Sequence, residues 1–142
     1  MKVSEAMTPA VVTVSRDTPL TDAARLMRDS DVGPLPVSEE GRLVGVLTDR
    51  DITIRAVASG KDPRSTRVDE VMTPKVVCCL DTDDVERAAE MMQSAQLRRL
   101  LVVSDSGRLA GIVSLGDIAV RTGNDTLSGE TLQHVSEPPP SR

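Results

Sequence analysis

Val3-Ser4-Glu5-Ala6-Met7-Thr8-Pro9-Ala10-Val11-Val12 and Val68-Asp69-Glu70-Val71-Met72-Thr73-Pro74-Lys75-Val76-Val77 are two versions of one segment. The match extends outward, with residues 3–37 aligning with 68–102 and, after one inserted residue, 41–53 with 107–119. Of these 48 paired positions 18 are identical, against roughly three for chains of average composition. The chain is a tandem duplication, so its fold is built from two copies of one small unit.

Each copy carries the same series of local signals. Pro9 and Pro74 close a short opening helix, and Val11-Val12 or Val76-Val77 reads as the β-branched start of a strand. Thr18-Pro19 reads as an N-cap followed by proline at the first helical position. Leu20, Ala23, Ala24 and Met27 then fall on one helix face, and Val85, Ala88, Ala89 and Met92 repeat that stripe. A hairpin follows, with turns at Glu39-Glu40-Gly41 and Ser104-Asp105-Ser106-Gly107. A last helix begins near Asp49 or Leu115, the first of them stopping at Gly60. The expected fold is α/β (α+β): two β-α-β-β-α repeats related by a pseudo-two-fold axis, with sheets packed face to face. The expected boundaries are repeat 1 at 1–60, a polar connector at 61–67, repeat 2 at 68–121, and a C-terminal helix (Asp125 to Val135) with a disordered tail within 122–142.

Composition narrows the function. The 142 residues include no Phe, Tyr or Trp, so the core is aliphatic and any surface that meets a nucleobase is aliphatic too. A net charge of −5 opposes general binding to nucleic acid, whose affinity is dominated by phosphate neutralisation. Neither a signal region at Met1-Lys2-Val3-Ser4-Glu5 nor an apolar run near the ~20 residues of a membrane span is present, so the expectation is a cytoplasmic protein without membrane contact. Cys78 and Cys79 are adjacent and point to opposite faces of a strand, which excludes a disulfide between them. With His134 the only histidine, a Cys/His metal site is not expected, and the cysteines read as small core side chains rather than reactive thiols.

One duplicated position carries chemistry. Thr48-Asp49-Arg50-Asp51 and Ser114-Leu115-Gly116-Asp117 share a Ser/Thr-x-x-Asp spacing at the entry to the last helix. Such a tetrapeptide can be a variant capping box, hydroxyl and acid each satisfying a free amide. The same geometry can hold a nucleotide: unpaired helix amides and the hydroxyl face a phosphate, while the acid one turn on accepts ribose hydroxyls.

These residues lead to a family. The paired Met-Thr-Pro openings, Asp31-Val32-Gly33-Pro34-Leu35-Pro36-Val37, Gly45-Val46-Leu47-Thr48-Asp49-Arg50-Asp51-Ile52, Asp69-Glu70-Val71-Met72-Thr73-Pro74 and Gly111-Ile112-Val113-Ser114-Leu115-Gly116-Asp117 resemble a tandem pair of cystathionine-β-synthase (CBS) domains, the Bateman module. The resemblance covers residues 1 to about 121 and implies sensing of AMP, ADP, ATP or S-adenosylmethionine, often within a homodimer. Position by position, it puts the ribose-binding acids on Asp51 and Asp117 and the hydroxyl contacts to phosphate on Thr48 and Ser114. The adenine-contacting residues fall on Val12, Thr13, Val77 and Cys78. Basic phosphate contacts fall on Arg98 and Arg99, whose repeat-1 positions are Gly33 and Pro34, and Arg50 is a further candidate. Leu101 departs from the pattern, standing where the family places the proline seen here as Pro36. Arg98 and Arg99 also fit an exposed strand start that discourages edge pairing, and Arg50 a solvated helix residue.

The leading expectation is therefore a non-catalytic regulatory module that binds an adenosyl nucleotide as ligand, uses no cofactor, and signals through an unidentified effector protein. A dimerising interaction protein with vestigial ligand clefts is the alternative. An enzyme is not expected, because His134 lies outside both repeats without a nucleophilic or metal constellation around it.

Overall fold

The computed structural model describes residues 1–9 and 12–138; the expected tail beyond 138 lies outside them. The elements are α1 (Val3–Ala6), β1 (Thr8–Pro9), α2 (Leu20–Ser30), β2 (Pro34–Glu39), β3 (Arg42–Thr48), α3 (Asp49–Asp51) running into a π-helical turn (Ile52–Val57), a 3-10 turn (Val68–Glu70), β4 (Cys78–Leu80), α4 (Val85–Ala95), β5 (Arg99–Val103), β6 (Leu109–Ser114), α5 (Leu115–Thr122) and α6 (Asp125–Ser136). The chain forms two compact units, Met1–Ala10 with Val77–Arg142, and Val11–Val76.

These units cut across the sequence repeats. In the first, the sheet order is β1-β6-β5-β4, with Thr8 opposite Ile112, Leu101 opposite Ile112 on the other side, and Cys79 parallel to Val102. In the second, β2 and β3 form a hairpin flanked by single bridges, Thr73 opposite Val46 and Val14 parallel to Val37. Thr73 is the repeat partner of Thr8, and Val14 of Cys79. Both units thus have the same lateral order, and in each the outer Met-Thr-Pro segment comes from the other repeat. The duplication was visible in the alignment, but the exchange of opening segments was not.

Close approach explains why the third strand accepts the exchanged segment at a glycine in both units. A Cβ on Gly111 would stand 2.5 Å from the Thr8 carbonyl oxygen, and one on Gly45 would stand 2.9 Å from that of Thr73. Only a residue without a side chain leaves room for that backbone.

Each unit has its own aliphatic core. Val3, Ala6, Cys79, Val85, Ala88, Ala89, Met92, Leu100, Val102, Val113 and Ile118 fill the first, so the opening helix of repeat 1 is buried against the body of repeat 2. Leu20, Ala23, Met27, Leu35, Val37, Leu47, Ala56, Val68 and Val71 fill much of the second. Leu20, Ala23 and Met27 of the first helical stripe and all four residues of the second are buried within their own units.

Several local expectations shift. Strand pairing starts at Cys78, directly after the expected Val76-Val77, and, as a single bridge, at Val14, two residues after Val12, with Cys79 and Val14 the residues that face the core; Val11 lies outside the described residues. Pro19 itself is the N-cap of α2, with Leu20 the first helical residue, while the Thr18 hydroxyl oxygen accepts the Ser15 amide at 3.2 Å. Ala24 is exposed although its repeat partner Ala89 is fully buried. The difference is α6, which packs on α4 and α5 and has no counterpart on α2 among the described residues. The Gln93 amide donates to the buried Thr131 hydroxyl at 3.0 Å and the Gln96 amide to the Glu137 carbonyl at 2.8 Å, anchoring α6 there. The helix expected from Asp49 to Gly60 widens after one turn into i to i+5 bonding, with Ala58 N–H donating to the Thr53 carbonyl. The polar connector is not loose: Leu20 N–H donates to the Thr66 carbonyl at 2.9 Å, and Thr66 is buried.

Substituting Gly111 by Ala should displace Thr8-Pro9 and remove about 1–3 kcal/mol of stability. Denaturant unfolding measures this, and an unchanged midpoint would show that the contact carries no strain.

Candidate functional site

In each unit the end of the hairpin delivers the hydroxyl and the acid to the start of the following helix. In the first unit, β6 stops at Ser114, whose extended backbone opens α5. The Ser114 hydroxyl oxygen accepts the Asp117 amide at 3.0 Å, and Asp117 Oδ2 accepts the Ser114 amide at 2.9 Å. In the second unit, Thr48 Oγ1 accepts the Asp51 amide at 3.0 Å and Asp51 Oδ2 accepts the Thr48 amide at 3.0 Å. Both capping boxes are made. Each engages a single carboxylate oxygen with the cap, so the cap and a ligand contact are compatible.

The remaining oxygens differ. Asp51 Oδ1 lies 3.9 Å from Arg55 Nε, and the Arg55 guanidinium also donates to the carbonyls of Val71 at 3.2 Å and Met72 at 3.3 Å. Arg121, the repeat partner of Arg55, donates to the Glu5 carbonyl at 3.5 Å. These arginines were not singled out from the sequence. Their shared role, holding the exchanged opening segment, becomes visible only once the exchange is known; their matched spacing after Asp51 and Asp117 was the available signal.

Strand register sets the basic pair beside Ser114, the N-cap of the second acid's helix. Arg99 is the cross-strand partner of Ser114, and the Arg98 carbonyl accepts the Leu115 amide at 2.9 Å. Both side chains are exposed, and neither forms an ion pair or side-chain hydrogen bond among the described residues. The equivalent neighbours of Thr48 are Pro34, opposite it in the β2–β3 pair, and Gly33. Thus the backbone of Arg98 and Arg99 adjoins Ser114 and Leu115 in one unit, and that of Pro34 adjoins Thr48 in the other. Val12, Thr13 and Val77 are exposed and Cys78 half-buried, all directly after the points where the chain passes from one unit to the other. They adjoin neither capping box within their own sheets.

Burial raises both thiols, pushing Cys79 to about 11 with the Asp83 carboxylate adding to the effect. Protonated thiols are poor nucleophiles at neutral pH. Among the described residues no group of three or more His, Cys, Asp or Glu could hold a metal ion. No helix among them is long and apolar enough to cross a membrane.

The duplicated geometry has a match among known families: the CBS domain model fits residues 3–57 and again 68–121. The chain belongs to the CBS domain family. It is 42% identical over 134 residues to the CBS domain-containing protein YhcV of Bacillus subtilis, covering 94% of each chain. It is also similar to Hypoxic response protein 1 of Mycobacterium tuberculosis, 37% identical over 114 residues, or 80% of this chain and 79% of that one. A crystal structure of Hypoxic Response Protein I with two coordinated zinc ions superposes with a TM-score of 0.77 at 34% identity, covering 85% of this chain and 98% of that one. The CBS domain pair of protein MJ0100, solved in complex with 5-methylthioadenosine and S-adenosyl-L-methionine, superposes with a TM-score of 0.71 at 27% identity, covering 87% of this chain and all (100%) of that one.

The two functions of the acid separate on substitution. Asp117→Ala should lower stability by about 1 kcal/mol through loss of the cap, whereas Asp117→Asn retains an acceptor for the Ser114 amide and should lose less than half of that. Equal losses in denaturant unfolding would show that the charge, not the hydrogen bond, makes the cap.

Proposed function

We propose that this CBS domain pair is a non-catalytic regulatory module that binds an adenosyl nucleotide (AMP, ADP, ATP or S-adenosylmethionine) in the cytoplasm and passes the signal to an effector protein as a homodimer. The observation that carries the reading is the juxtaposition of Arg98-Arg99 with Ser114 and Asp117. Two unpaired guanidinium groups, a hydroxyl and a carboxylate with one oxygen outside the cap suit a phosphorylated ribose: charge-assisted bonds on the phosphate side, acceptor bonds on the sugar side. The complex of protein MJ0100 with two adenosyl compounds supports the ligand class. Adenine would contact Val12, Thr13, Val77 and Cys78, aliphatic or small surfaces in a chain without aromatic residues.

Among the described residues no pairing of nucleophile and base accompanies these groups, and the thiols are held protonated. The acids and hydroxyls bind; they do not turn over substrate.

The completed capping boxes favour a second reading, a dimerising interaction protein whose sites are vestigial, because the cap alone gives each acid a structural task.

Calorimetry with adenosine, AMP, ADP and ATP separates the two readings. Binding should be detected, and replacing Arg98 and Arg99 together by Ala should weaken ATP and ADP more than adenosine, with the difference shrinking as salt rises. No heat at millimolar ligand would support the vestigial reading. Analytical centrifugation should return the dimer mass at micromolar concentration; a monomer that persists with nucleotide present removes the homodimer from the proposal.

A further inference from the structure

The two repeats carry different charge at the corner beside the ribose acid. Repeat 2 presents Arg98, Arg99 and Leu115 there, whereas repeat 1 presents Gly33, Pro34 and Asp49 at the aligned positions. Asp49 is turned toward the place of the missing arginine: a Cβ on Gly33 would stand 3.4 Å from Asp49 Oδ1. That same oxygen accepts the Arg50 amide at 3.0 Å, which holds the carboxylate in the corner. The nearby positive groups do not cancel it at close range. Arg50 is exposed and makes no ion pair among the described residues, and Arg55 is committed to the Val71 and Met72 carbonyls and to Asp51.

We propose that Asp49 is a specificity-determining residue that makes the repeat-1 site reject phosphate and accept an adenosyl ligand without one, neutral or positively charged, leaving phosphorylated ligands to the repeat-2 site. The inference rests on the adenosyl-binding reading above and assigns a ligand class within it. A carboxylate a few ångströms from an incoming phosphate repels it even where water screens the interaction, and a single such charge changes affinity severalfold. Negative discrimination of this kind separates ligands that share the same base and sugar. Repeat 2 serves as an internal control, because it keeps the hydroxyl and the ribose acid while exchanging the acid at 49 for Leu115 and the glycine at 33 for Arg98.

The test is calorimetry with adenosine and AMP in an Asp117→Ala background, in which the repeat-2 site has lost its ribose acid. Asp49→Asn keeps an acceptor for the Arg50 amide while removing the charge, and Asp49→Leu installs the repeat-2 residue. Either change should raise the ratio of AMP to adenosine affinity about fivefold, with the gain declining as salt rises. An unchanged ratio in the Asn variant overturns the role of Asp49 while leaving adenosyl binding intact. Absence of binding of both ligands to the unsubstituted chain overturns the adenosyl reading, and the assignment falls with it.

Discussion

The contact on which the rest of the structure depends is the backbone of a Thr-Pro segment laid against a glycine. Thr8 reaches β6 at Gly111, and Thr73 reaches β3 at Gly45, each from the opposite repeat. Because the opening segment of one repeat completes the sheet and core of the other's body, neither repeat as written in the sequence is a closed unit. Val3 and Ala6 are fully buried among residues of repeat 2, and Val68 and Val71 among residues of repeat 1. Burying such side chains is worth roughly 1.5–3 kcal/mol each for the larger ones, so a repeat expressed alone would expose a groove and lose part of its core. Arg55 and Arg121 add hydrogen bonds to the same segments from the helices that carry the acids. The exchange and the candidate site are therefore neighbours on the same strand and helix.

Much of this was legible in the residues because the duplication supplies its own alignment. The hairpins, the buried stripe Val85, Ala88, Ala89 and Met92, and the paired Ser/Thr-x-x-Asp caps follow from periodicity and turn chemistry. Tertiary facts were not legible. Ala24 and Ala89 are identical residues at identical positions, yet only Ala89 is buried, because α6 reaches α4 and nothing among the described residues plays that part on α2. Val76-Val77 has the composition of a strand, but pairing is decided by which residues meet Val102 and Leu101, and these are Cys79 and Cys78. Local propensity yields to register in such short strands.

The candidate site was legible in its residue types and not in its neighbourhoods. The antiparallel register of β5 and β6 places Arg99 opposite Ser114, so within their unit the backbone of the basic pair adjoins the capping box that Ser114 forms with Asp117. The cap and the ligand contact had stood as alternatives for the acids. The capping geometry engages one oxygen and one face of each carboxylate, so a structural task and a binding task coexist on the same side chain. Asp49, read at first only as a member of the motif, acquires meaning from its closeness to Gly33.

The central claim is that an adenosyl ligand is held at the Ser114–Asp117 corner with its phosphates toward Arg98 and Arg99. A crystal structure grown with ATP tests it most directly. The account predicts electron density for one nucleotide whose ribose hydroxyls lie within hydrogen-bond distance of the Asp117 carboxylate and whose phosphates face the two guanidinium groups. Nucleotide density elsewhere on the chain, or a corner filled only by solvent at saturating ATP, would contradict it.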